Sequence, residues 1–79
     1  MNTSRFQTRD LPTAAFLVTV GYPLLAAQAV GGNLIFEFPA QAAQAATQYF
    51  QGATVPAREF YGSIRDLKAL IHNRRETRQ

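Results

Sequence analysis

The residues able to do chemistry in this chain are few and unevenly placed. His72 is the sole histidine, there is no cysteine, and the acids are Asp10, Glu37, Glu59, Asp66 and Glu76. No motif spacing ties the imidazole to a nucleophile or an orienting carboxylate, so no catalytic residue is assigned and no enzyme is expected. Near the end of a helix, a histidine suits the negative end of the helix dipole. One histidine and scattered carboxylates are not a ligand set, so no metal and no cofactor are expected. The missing thiols exclude a disulfide framework and fit a cytoplasmic location. Gly31-Gly32 is followed by neither a Lys-Ser or Lys-Thr pair nor a helix start, which makes it a hairpin turn rather than a phosphate loop.

What remains is cationic. Arg5 and Arg9 lie near the start, six further basic residues lie at or after Arg58, and the formal net charge is +3. Arg58, Arg65, Lys68, Arg74 and Arg75, with Tyr61 among them, are the one constellation that carries a functional reading. Guanidinium forks engage phosphate oxygens in pairs, a helix presents them at regular rise, and a tyrosine can stack on a base. The plainer account is a solvated helix face, which is normally charged. Glu59, Asp66 and Glu76 also lie within three or four residues of these cations, where local pairing would dilute the field.

The element that must position them runs from Thr54 to Arg75. Phe60, Ile64, Leu67 and Ile71, widened by Leu70, recur at helical spacing, which predicts one apolar face. Arg58, Arg65, Lys68, His72 and Arg75 fall on the other face. Thr54 is the expected N-cap, with Pro56 in the first turn. Gly62 in the helix interior costs about 1 kcal/mol relative to alanine, which close approach of another helix, the one bearing Tyr49 and Phe50, would explain.

The front of the chain poses a different question. No charged residue occurs between Leu11 and Phe36, and Arg5, Arg9 and Ala27-Gln28-Ala29 imitate the start and cleavage site of a signal peptide. Gly21-Tyr22-Pro23 interrupts any helix midway. The pieces are roughly half the ~20 residues a membrane span needs, so a soluble fold with no cleaved leader is expected, and a membrane-inserted peptide over Ala14 to Val30 ranks last.

In order, Phe6-Gln7-Thr8 reads as a short extended segment and Asp10 as the N-cap of a largely buried helix from Leu11 to Val20, ended by Gly21. Leu24 to Val30 and Leu34 to Phe38 read as a hairpin joined through Gly31-Gly32-Asn33. Leu34, Phe36 and Phe38 share one face, while Ile35 and Glu37 take the other, at least partly wet, face. A second helix, Ala40 to Gln51, carries Gln41, Gln44, Gln48 and Gln51 on one side, and Ala42, Ala46, Tyr49 and Phe50 on another. The prediction is an α+β fold in one domain over residues 1–79, with 1–4 and 76–79 frayed. It comprises a short N-terminal strand, a helix, an antiparallel β-hairpin, and two C-terminal helices packed on one face of a small sheet.

Several of these segments also resemble a known family. Phe6-x-Thr8-x-Asp10-Leu11, Ala14-Ala15-Phe16-Leu17, Gly21-Tyr22, Leu34-Ile35-Phe36-Glu37-Phe38, Tyr49-Phe50-Gln51-Gly52 and Leu67-Lys68-x-Leu70-Ile71 are similar to short bacterial and phage proteins grouped as domain of unknown function fifty-six fifty-nine. The resemblance spans roughly residues 5 to 73 and departs in the alanine-rich second helix, where such proteins are more acidic. It implies a compact α+β fold and association with phage or mobile elements, and it transfers no catalytic residue.

Two function classes follow. The first is a small non-enzymatic accessory protein that binds nucleic acid or a nucleoprotein complex through Arg58, Tyr61, Arg65, Lys68, Arg74 and Arg75. The second is a protein-binding module or inhibitor of a host defence complex, using an open strand edge or the glutamine face, with homo-oligomers belonging to the same class.

Overall fold

The computed structural model describes residues 5–76, with side chains described through Asn73. Its elements are β1 (Phe6–Thr8), α1 (Leu11–Thr19), β2 (Ala26–Val30), β3 (Asn33–Phe38), α2 (Ala42–Phe50) and α3 (Ala57–Glu76). The fold is α+β, with the expected order of strand, helix, antiparallel strand pair and two C-terminal helices. The expected fraying at 1–4 and 77–79 lies outside the described residues, whereas α3 continues through Glu76.

Local chemistry fixes most boundaries. The Asp10 carboxylate accepts from the Thr13 amide at 3.0 Å and from the Thr13 hydroxyl at 2.7 Å, satisfying a free donor of the first turn of α1. Thr8 Oγ1 in turn accepts from the Asp10 amide at 3.1 Å, which joins the end of β1 to the cap. At the other end Gly21, with φ of +108°, follows Val20. The Gly21 amide donates to the Val18 carbonyl and the Tyr22 amide to the Leu17 carbonyl, the paired bonds of a Schellman ending. Gly52 and Ala53 end α2 in the same way, through Tyr49 and Gln48.

The hairpin is tighter than expected. Val30 pairs with Asn33, so the loop is Gly31-Gly32 alone, at φ of +57° and +85°. Two successive positive φ values define the turn whose twist matches a two-residue hairpin, and a side chain would be strained at either position. Asn33 therefore belongs to β3. The preceding strand begins at Ala26 rather than Leu24, although the Leu25 amide already donates to the Glu37 carbonyl at 2.8 Å.

The sheet has three strands in the order β1-β3-β2, all neighbours antiparallel. Phe6 lies opposite Phe38 and Thr8 opposite Phe36, so β3 is the central strand and the two edges belong to β1 and β2. Phe36, Phe38 and Ala27 are buried on the core side, together with Thr13–Leu17 of α1, Ala42, Ala45 and Ala46 of α2, and Leu67 of α3. Five consecutive buried residues in α1 mean that this helix is enclosed on all sides, which explains a sequence without charge. Both C-terminal helices pack on α1. Phe16 meets Tyr49 of α2 with ring centroids 5.3 Å apart, and the Thr19 and Ser63 hydroxyls are hydrogen-bonded at 2.9 Å between α1 and α3.

Four local expectations need correction. Phe50 is 72% exposed, so Tyr49 alone of that pair meets the core. A Cβ added at Gly62 would meet nothing within 4 Å, so no close helix crossing explains this glycine. The Pro56 carbonyl accepts from the Phe60 amide at 3.0 Å, which puts Pro56 at the cap position just before Ala57, the first residue of α3, and leaves exposed Thr54 two residues before that cap. The second helix begins at Ala42 and not at Ala40, and the Gln41 side chain makes no capping bond.

Candidate nucleic-acid interface

α3 is a helix divided lengthwise. Ser63 and Leu67 are buried, and Phe60, Ile64, Leu70 and Ile71 are half-buried against the core, as the apolar spacing requires. At about 100° per residue, Arg58, Tyr61, Arg65, Lys68 and His72 fall within about a quarter of the circumference on the opposite side. All five are exposed. Arg58 and Lys68 stand roughly 15 Å apart along the axis at the usual rise per residue. Glu59 and Asp66, also exposed, fall on an adjoining flank in line with Gly62 and Asn73.

The expected local dilution of charge does not occur between Glu59 or Asp66 and Arg58, Arg65 or Lys68, while the side chain of Glu76 lies outside the described residues. Within the described residues, no ion pair joins Arg58, Arg65 or Lys68 to Glu59 or Asp66. The Arg65 guanidinium instead lies over the Tyr61 ring, 5.7 Å from its centroid, a cation–π contact between residues four apart. Tyr61 remains 63% exposed. Of the six sequence-selected residues, the structure brings Arg58, Tyr61, Arg65 and Lys68 onto one face. The backbones of Arg74 and Arg75 continue α3, and their side chains lie outside the described residues.

A second polar group was not apparent from local sequence. Glu37 sits on the face of β3 opposite Phe36 and Phe38, yet its side chain is only 7% exposed. Its Oε1 accepts from Arg5 Nη1 at 2.9 Å, and its Oε2 from Gln7 Nε2 at a longer 3.3 Å. Gln7 is the register partner of Glu37, and Arg5 immediately precedes β1, so the start of the chain's first strand delivers both donors to the buried carboxylate. The available signal was the spacing of Arg5 and Gln7, two residues apart on one side of a strand, and it becomes legible only once β1 is known to pair with β3. With both oxygens engaged, this carboxylate ties β1 to the sheet and is not poised as a general base.

Beside this pair, Gln7, Thr8, Arg9 and Ile35 line a shallow, open depression without a nucleophile–base arrangement. No group of three His, Cys, Asp or Glu residues among the described residues could hold a metal ion. Among the same residues, no helix is long and apolar enough to cross a membrane. The uncharged front is broken into α1, β2 and β3. No family model, curated protein or solved structure matches this chain.

Proposed function

We propose that this protein is a cytoplasmic, non-enzymatic accessory factor that binds nucleic acid, alone or in a nucleoprotein complex, through the outward face of α3. The observation that carries this reading is the shared exposure of Arg58, Tyr61, Arg65 and Lys68 on one side of a helix whose other side is committed to the core. Their charge is not consumed by Glu59 or Asp66. Cations held in this way can meet phosphate oxygens without disturbing the fold. The phage or mobile-element setting implied by the sequence resemblance is carried as part of the same proposal.

The test is a binding titration with the Arg65→Glu/Lys68→Glu variant. Loss of nucleic-acid binding with an unchanged unfolding transition is the expected result. Binding that survives charge reversal removes the reading.

A second reading, a protein-binding module or inhibitor of a host complex, is favoured by a different observation. Gln41, Gln44 and Gln48 are exposed along one side of α2, and Phe50, on a different side at the end of the same helix, is 72% exposed, so α2 offers an uncharged surface and a separate exposed aromatic ring. Aromatic side chains of this kind serve as anchors in protein interfaces. Partner capture that is lost in Phe50→Ala but retained in the α3 charge-reversal variant selects this reading over the first.

A further inference from the structure

The α3 face has a property that its charge alone does not explain, and it bears on which form of nucleic acid fits. A helix lying in the major groove runs between two phosphate walls and needs to be acceptable to both. Here the cations occupy one flank. Arg58, Arg65 and Lys68 lie within a narrow arc, whereas Glu59 and Asp66 lie along the adjoining one. The remaining circumference is closed by the core through Ser63 and Leu67. A duplex docked on the cationic flank would bring its second backbone toward two carboxylates. A single strand presents one backbone and has no such conflict.

The aromatic residue points the same way. Tyr61 is 63% exposed in the middle of the cationic arc, and Arg65 is held against its ring. A phenol ring in this position offers a surface for a base, but a base in a duplex already has both faces covered by its neighbours. An unstacked base on an aromatic ring beside an arginine is the arrangement used by sequence-tolerant single-strand binders. A simple surface pairing of Tyr61 with Arg65 would need no neighbouring cations. Arg58 and Lys68 are nevertheless placed three and seven residues from Tyr61 on the same side of the helix.

We infer that the ligand of the α3 face is single-stranded nucleic acid, with one base stacked on Tyr61 and the backbone running along Arg58, Arg65 and Lys68. This rests on the reading of α3 as a nucleic-acid interface and assigns the strandedness of its ligand. Tyr61 acts through its ring and not through its hydroxyl. Arg65 serves both as a phosphate partner and as the side chain that steadies the ring. Both DNA and RNA strands offer the shared chemistry of an anionic backbone with accessible base faces.

The experiment compares a twelve-nucleotide mixed-sequence DNA strand, its RNA counterpart and the corresponding blunt DNA duplex, each titrated with the full chain at low salt. Tyr61→Ala and Tyr61→Phe are measured beside the wild type. The expected result is tighter binding of a single strand than of the duplex. Tyr61→Ala should weaken single-strand binding by about fivefold or more, the loss of one stacked base, and Tyr61→Phe should restore it. The DNA and RNA arms identify which strand is preferred, and a preference for either supports the inference. Equal or tighter duplex binding, or single-strand binding indifferent to Tyr61→Ala, overturns the inference while leaving the basic-face reading standing. No binding to any of the three overturns both.

Discussion

α1 and α3 divide the work of the molecule between them. α1 has nine residues, no charge, and five consecutive positions that are buried, so its side chains are spent on the core. α3 has twenty residues, carries exposed Arg58, Arg65 and Lys68, and buries only Ser63 and Leu67 among its described side chains. The longer helix shows the clearer amphipathic periodicity, yet the shorter one is the element that both C-terminal helices pack against. Periodicity reports a boundary between core and water. An element enclosed on every side has no such boundary to report, and its sequence signal is the absence of charge.

This contrast orders the predicted effects on stability. Leu17, with no exposed surface, is the strongest test of α1 as the centre of the core. Leu17→Ala should cost about 2–5 kcal/mol in urea denaturation, enough to threaten folding in a domain of this size. Leu70→Ala in α3, where the side chain is half-buried, should cost distinctly less. Equal losses would erase the distinction between the two helices.

Charges divide in the same way. Arg5 holds a buried carboxylate, whereas Arg65 and Lys68 face water. Arg5→Ala leaves Glu37 with only the longer Gln7 contact and should destabilise by about 1–3 kcal/mol, moderated because Arg5 is itself half exposed. Near-neutral behaviour in thermal unfolding would show that the pair does not fasten β1.

Smaller effects test the ends and middle of the helices. Asp10→Ala removes the cap of α1, including its bonds to Thr13, and should cost about 1 kcal/mol. Gly62→Ala should act in the opposite direction. With open space at the Cβ position, it should stabilise α3 by about 0.5–1 kcal/mol, and a destabilising result would reveal a constraint that the geometry does not contain.

Much of the fold was legible where chemistry was local, although the cap read at Thr54 is not the one α3 uses. Asp10 before an apolar run, Gly21 and Gly52 after helices, and the alternation of Leu34, Phe36 and Phe38 each name a conformation that few other residues support. What escaped the sequence depended on long-range pairing. Glu37 read as facing a partly wet surface because nothing near it in sequence reveals Arg5 and Gln7, thirty or more residues away. Phe50 read as core because it neighbours Tyr49 on the apolar arc, but the buried stripe of α2 runs through Ala42, Ala45, Ala46 and Tyr49, and Phe50 falls about a quarter turn to its side. The candidate interface was legible as a helical charge pattern. Its separation from Glu59 and Asp66 was also legible, because neither acid lies three or four residues from Arg58, Arg65 or Lys68, whereas the seating of Arg65 on Tyr61 emerged only in three dimensions.

The most direct test of the α3 face is the salt dependence of its binding to a single strand, measured for the wild type and Arg65→Ala. Three cations on the backbone predict that the logarithm of the binding constant falls with the logarithm of salt concentration at a slope of about −2. The Arg65→Ala slope should be shallower by about 0.7, with the unfolding midpoint preserved. A wild-type affinity indifferent to salt, or an identical slope in the variant, would contradict the account.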